Sequence, residues 1–185
     1  MSKAVVFFAD GMEECEALLV VDLLRRGGVE VTTASVMEDR QIVSSHKVPV
    51  LADALAGELD YTQVDLVVYP GGIPGSNHLA ESQTATQAAR DFAAQGKYVG
   101  AVCAAPAVVL APLGVLEGKQ ATSYPSFQDQ LTGAVKKDQP VAVGGKIITG
   151  RALGAGIPFA LELLAALEGR ETARKVAQAI VYDWE

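Results

Sequence analysis

The sequence predicts an α/β domain built as a doubly wound, mostly parallel sheet with helices on both faces. Three observations predict it. The strand-length runs at residues 4–9, 66–69 and 98–102 are apolar at nearly every position, as strands covered on both faces are. They alternate along the chain with longer segments that carry helix-end signals. The length of 185 residues, half of them apolar and a fifth charged, fills one core but not two comfortable ones, and no linker, repeat or low-complexity tract divides it. A single domain over residues 1–185 follows.

The first strand, residues 4–9, ends at Asp10-Gly11. A helix opens with Glu13-Glu14 at its positive end and closes at Gly27-Gly28, after Arg25-Arg26 at its negative end. Residues 17–21 within it are five successive apolar residues, so this helix is expected to be buried on several sides, by the core and by a partner subunit. Residues 29–36 read as the second strand, and 41–50 as a short strand or hairpin projecting from the sheet. Residues 61–65 lead into the strand 66–69, which ends at Pro70-Gly71-Gly72. A helical region covers 75–95. The strand 98–102 ends at Cys103, before a short apolar helix over 105–110. Ala121-Thr122-Ser123 is expected to be a strand, and 141–143 with 146–149 a hairpin turned by Gly144-Gly145. Residues 154–167 and 171–181 read as two closing helices.

The formal charge of -7, with no basic cluster larger than the pairs Arg25-Arg26 and Lys136-Lys137, disfavours sequence-specific nucleic acid as a partner. No apolar run approaches the length of a membrane span, and the run after Met1-Ser2-Lys3 is too short for a signal peptide. Two cysteines far apart suggest free thiols in a reducing compartment, so a cytoplasmic location is expected.

In an open α/β sheet, ligands bind outside the carboxyl ends of the strands, and three segments converge there. Cys103 lies in Gly100-Ala101-Val102-Cys103-Ala104-Ala105-Pro106, with alanine two residues before and after the thiol. Small residues at those places suit a strained strand-to-helix elbow. A following helix would favour thiolate and lower the thiol's pKa. On these features alone a reactive thiol and a buried structural cysteine are equally open. Pro70-Gly71-Gly72-Ile73-Pro74-Gly75 lacks the Gly-Lys-Ser/Thr ending of a phosphate loop, which leaves an oxyanion hole or a tight turn. Glu16, just ahead of the apolar run 17–21, would carry a raised pKa if desolvated and could then give a hydrogen bond to a thiolate; a solvated capping charge is the alternative. Glu13 and Glu14 read as solvated capping charges. His46 and His78 are the two histidines and neither follows Cys103, which leaves a cysteine–histidine triad or a zinc site little to work with. Cys15 reads as core packing rather than a resolving thiol.

Residues 11–16, 69–72 and 101–106, in this order, resemble the ThiJ/PfpI superfamily, and more narrowly its parkinsonism-associated deglycase branch and bacterial relatives. The resemblance runs on through Thr149-Gly150-Arg151 to the closing helix. It implies a flavodoxin-like fold, a homodimer, Cys103 as nucleophile, Glu16 as its protonated carboxyl partner, and an oxyanion and substrate site at Gly71, Gly72 and Ala104. It also implies a cofactor- and metal-independent glyoxalase or deglycase, protective under stress. Its substrates would be α-oxoaldehydes such as methylglyoxal and glyoxal, or their early adducts with proteins and nucleotides. An oxidative-stress sensor or redox-regulated chaperone, with Cys103 oxidised to sulfinate, is the alternative. Tyr124 stands where eukaryotic members have histidine, and Ala105 where glycine is frequent. Ala104 stands where the protease-like branch has histidine, which argues against peptidase activity. The hairpin's usual arginine is replaced near His46-Lys47.

Overall fold

A computed structural model of the chain describes residues 1–184. β1 (Lys3–Phe8) is buried over five of its six residues. α1 (Glu14–Arg26) starts where the Glu13 carboxylate caps it by accepting the Glu16 N–H, and stops at Gly27 after Arg25 and Arg26. β2 (Glu30–Ser35) follows, then a small antiparallel hairpin of β3 (Gln41–Val43) and β4 (Pro49–Leu51) standing off the main sheet. The chain continues through β5 (Ala54–Leu55), β6 (Leu66–Tyr69), α2 (Gly75–Glu81), α3 (Gln83–Ala94) and β7 (Tyr98–Val102). β8 (Gln120–Ala121), β9 (Val135–Lys136), β10 (Val141–Gly144), β11 (Ile147–Gly150), α4 (Gly156–Glu168) and α5 (Arg170–Ala179) complete it.

The main sheet has seven strands in the order β10-β11-β7-β6-β1-β2-β5. Every neighbouring pair is parallel except β10 and β11. Alternate residues of β1 point into different cores, which is why the strand is apolar throughout. Val6 and Phe8 join Ala17, Val20 and Leu24 of α1 with Phe159 and Leu164 of α4. Val5 and Phe7 join Tyr69, Leu79 of α2 and Phe92 of α3. From β1 the chain adds β2 on one side and β6 on the other, so the crevice between β1 and β6 is where the winding reverses. The expected flavodoxin-like, doubly wound architecture is present.

Several elements differ in detail. The helical region is two helices, broken at Ser82, whose hydroxyl accepts the Ala85 N–H and starts α3. The strand expected at 121–123 is only β8, paired in parallel with β9; Thr122 and Ser123 leave it and stay buried. In the last hairpin Gly144 still pairs with Ile147, so the turn falls at Gly145-Lys146, with Gly145 at φ 70°. The helix after Cys103 is a five-residue π turn, Pro106–Leu110, running into a 3-10 turn, Ala111–Leu113. α1 buries Ala17, Val20, Val21 and Leu24 in the core but leaves Leu18 40% exposed.

Candidate active site

Cys103 follows the last residue of β7 with φ 62°, a left-handed conformation costly for a side chain with a Cβ. Three bonds hold it there. Its N–H donates to the Gly150 carbonyl of β11 (3.0 Å), and its carbonyl accepts from the Tyr124 N–H (2.8 Å) and the Ser123 hydroxyl (2.6 Å). Ala101, Ala104 and Ala105 around it are fully packed, so larger side chains would not fit the bend.

Glu16 reaches the same point from α1. At about 100° per residue a helix turns adjacent side chains to different faces: Glu16 is 2% exposed, whereas Cys15 faces outward. Cys15 is therefore not core packing, as expected from sequence, but an exposed free thiol on the outer side of α1. The Glu16 carboxylate accepts the Gly71 N–H (3.0 Å) and the Leu153 N–H, and shares a hydrogen bond with the Cys103 thiol. Burial, aided by the neighbouring Glu13 charge, pushes its pKa up to about 7 against the stabilising hydrogen bonds.

Burial also pushes the Cys103 thiol up to about 12, reinforced by the Glu16 charge and hydrogen bond; the N–H groups of Gly72 and Ala104 act in the other direction. The lowered thiol pKa expected from the following helix is not found. That helix is a single irregular turn, and the desolvation of the sulfur outweighs it. The two groups titrate as a pair, which keeps one proton over the wide range between its two losses. Amide donors stand at both ends of the shared bond, Gly71 and Leu153 on the carboxyl group, Gly72 and Ala104 on the sulfur. The proton can therefore pass from thiol to carboxylate without backbone movement, leaving a thiolate facing two amides.

The glycines make this approach possible. A Cβ on Gly71 would fall on the Glu16 carboxylate and within 2.5 Å of the Cys103 Cβ. Gly72, at φ 89°, lies against the Glu13 backbone with no room for a side chain. The Gly71 amide is spent on Glu16, so the amides that face the sulfur are those of Gly72 and Ala104.

His46, on the β3–β4 hairpin, is held over the start of α1 by the bond from Ser45 N–H to the Met12 carbonyl (2.8 Å). Its Nδ1 lies 2.9 Å from the Glu14 carboxylate and 4.0 Å from that of Glu13. These three donors come within 4.8 Å of one another. Helix capping by Glu13 and the His46–Glu14 contact account for that proximity. His78 bonds the Asp10 carbonyl through Nδ1 (2.8 Å) and braces the loop after β1. Tyr124 is tied to Cys103 through its backbone and keeps an exposed ring beside the elbow. The Leu153 amide was not anticipated: a backbone donor leaves no mark in the side-chain sequence. Ser123 carried a visible signal, a side-chain hydroxyl, but in an apparent strand twenty residues after the elbow.

A family model described as the DJ-1/PfpI family matches residues 2–166. The chain is 38% identical to protein dj-1beta of Drosophila melanogaster over 98% of either chain. It is 26% identical to the glutathione-independent glyoxalase DJR-1.2 of Caenorhabditis elegans, over 97% of this chain and 95% of that protein. Among solved structures, oxidized DJ-1 of Toxoplasma gondii superposes with a TM-score of 0.96 at 37% identity, over the whole of both chains. The chain spans 40% and 45% of the lengths of the Arabidopsis thaliana DJ-1 homologs B and A, to which it is 36% and 35% identical.

Proposed function

The chain belongs to the DJ-1/PfpI family, and from that premise we propose that it is a cysteine-dependent glyoxalase that converts α-oxoaldehydes, methylglyoxal above all, to 2-hydroxy acids, or releases them from their early adducts. The observation that carries the reading is the buried hydrogen bond between Cys103 and Glu16, with the amides of Gly72 and Ala104 on the sulfur. The glyoxalase name of the C. elegans relative supports it.

The Cys103 thiolate adds to the aldehyde carbon, and Glu16 gives its proton to the resulting oxyanion, forming a hemithioacetal. The amides of Gly72 and Ala104, which act on the sulfur, are the donors this reading assigns to that developing charge. Glu16, now a carboxylate, removes the proton from the former aldehyde carbon and returns it to the neighbouring carbon, while the hydroxyl proton passes from the first carbon's oxygen to the second's. The first carbon is oxidised to a thioester and the second reduced to an alcohol, so the redox change is internal. Water then cleaves the thioester, releasing lactate from methylglyoxal and restoring the thiol. Both histidines are engaged elsewhere, His78 with Asp10 and His46 with Glu14, which leaves Glu16 to carry the protons.

Cys103→Ala and Glu16→Gln are each expected to slow lactate formation from methylglyoxal by about a thousandfold or more. Wild-type turnover in the Cys103→Ala protein would refute the mechanism. For assembly the reading is a homodimer, supported by the exposed Leu18 of α1; the reading for location stays cytoplasmic.

A further inference from the structure

We propose that Glu13 is a positioning residue for the Cys103–Glu16 pair, fixing one negative charge behind Glu16 and fastening the glycine loop to it. Read from sequence, Glu13 is a solvated cap; in the fold its side chain is only 14% exposed. Its N–H donates to the Gly71 carbonyl (2.9 Å), while the Gly71 N–H donates to the Glu16 carboxylate (3.0 Å). The Gly71 residue thus bridges Glu13 and Glu16. The Glu13 Oε2 accepts the Glu16 N–H at 2.6 Å. Glu13 is in this way bonded both to the residue that holds the proton and to the residue that orients it.

The charge matters because little opposes it. The titratable groups acting on Glu16 are Cys103 from the end of β7 and Glu13 from the same helical turn. The loop after β6 and the turn before α4 contribute backbone N–H groups only, those of Gly71 and Leu153. His46, from the hairpin, is the basic side chain that reaches Glu13, but it is 70% exposed and lies closer to Glu14. A fixed like charge beside a buried carboxyl group favours its protonated form, which is the form the pair needs to present a thiolate. Glu13 therefore acts through Glu16 and does not itself touch the reacting atoms.

This deepens the proposed function and rests on the same pair, but not on the aldehyde, so its test needs no substrate. In a Cys15→Ser background the rate of Cys103 alkylation by iodoacetamide is followed against pH. It should rise through a midpoint near 7 as the pair loses its first proton. Glu13→Gln keeps an oxygen for the cap and removes the charge, and should move the midpoint down by about half a unit or more. Glu13→Asp keeps both charge and cap and should retain the parent midpoint. Glu14→Gln removes the charge of the adjacent residue, which is turned toward His46, and should leave the midpoint in place. An unmoved midpoint in Glu13→Gln, or an equal shift in Glu14→Gln, would overturn the assignment. If the midpoint shifts as expected in a protein that makes no lactate, the substrate reading fails and the role of Glu13 stands.

Discussion

Burying Glu16 costs stability, and the cost depends on pH. Its pKa rises from an ordinary value of 4.5 to about 7 in the fold, so the folded state binds its proton more tightly than the unfolded chain. The stabilisation is complete below pH 4.5 and is lost as pH rises through 7, a difference of about 3 kcal/mol. Glu16→Gln, uncharged at every pH, should therefore melt higher than wild type at pH 8 and gain least near pH 4. Equal shifts at both pH values by calorimetry would contradict this. At this scale the sequence was informative wherever a side chain carries the chemistry. The alanines around Cys103 and the apolar run beside Glu16 marked both residues. The direction of the thiol's titration was not legible, because it depends on burial by residues distant in sequence. Cys15 was misplaced because a five-residue apolar run beside it hid the helical phase.

α1 carries Glu16, and its seat is the α1–α4 contact. The fully buried Leu164 of α4 is part of it, close enough that a Cβ on Gly27 would collide with the leucine's methyl groups. Leu164→Ala should cost about 2–5 kcal/mol of stability, read from urea unfolding. A loss below 1 kcal/mol would mean that the contact closes over the cavity. Long elements were legible from local signals: the acidic start of α1, its glycine stop and the uniformly apolar β1, β6 and β7. The strands β5, β8 and β9, two residues each, were missed or misjudged because their pairing is non-local and two residues carry no period. Ser82 was also passed over, although a serine that starts one helix by ending another is a signal of capping.

For the whole molecule, the class of sheet could be inferred from uniformly apolar strands, but not the order of its strands, which only long-range pairing decides. Assembly is the property most open to test. Leu18 stands exposed on the outer side of α1, on the same face as Cys15. Leu18→Lys would bury a charge in a dimer interface there and should shift the sedimenting species from dimer to monomer. An unchanged mass would place the contact elsewhere. The topology also sets when the chemistry comes into being. Glu16, Gly71 and Cys103 follow three different strands, β1, β6 and β7, so the pair forms only when segments far apart in the chain have packed together. During synthesis Cys103 is an ordinary cysteine until β7 has docked beside β6 and β11 has taken its backbone amide. Until those strands are in place the thiol lacks the bonds that set its titration in the fold.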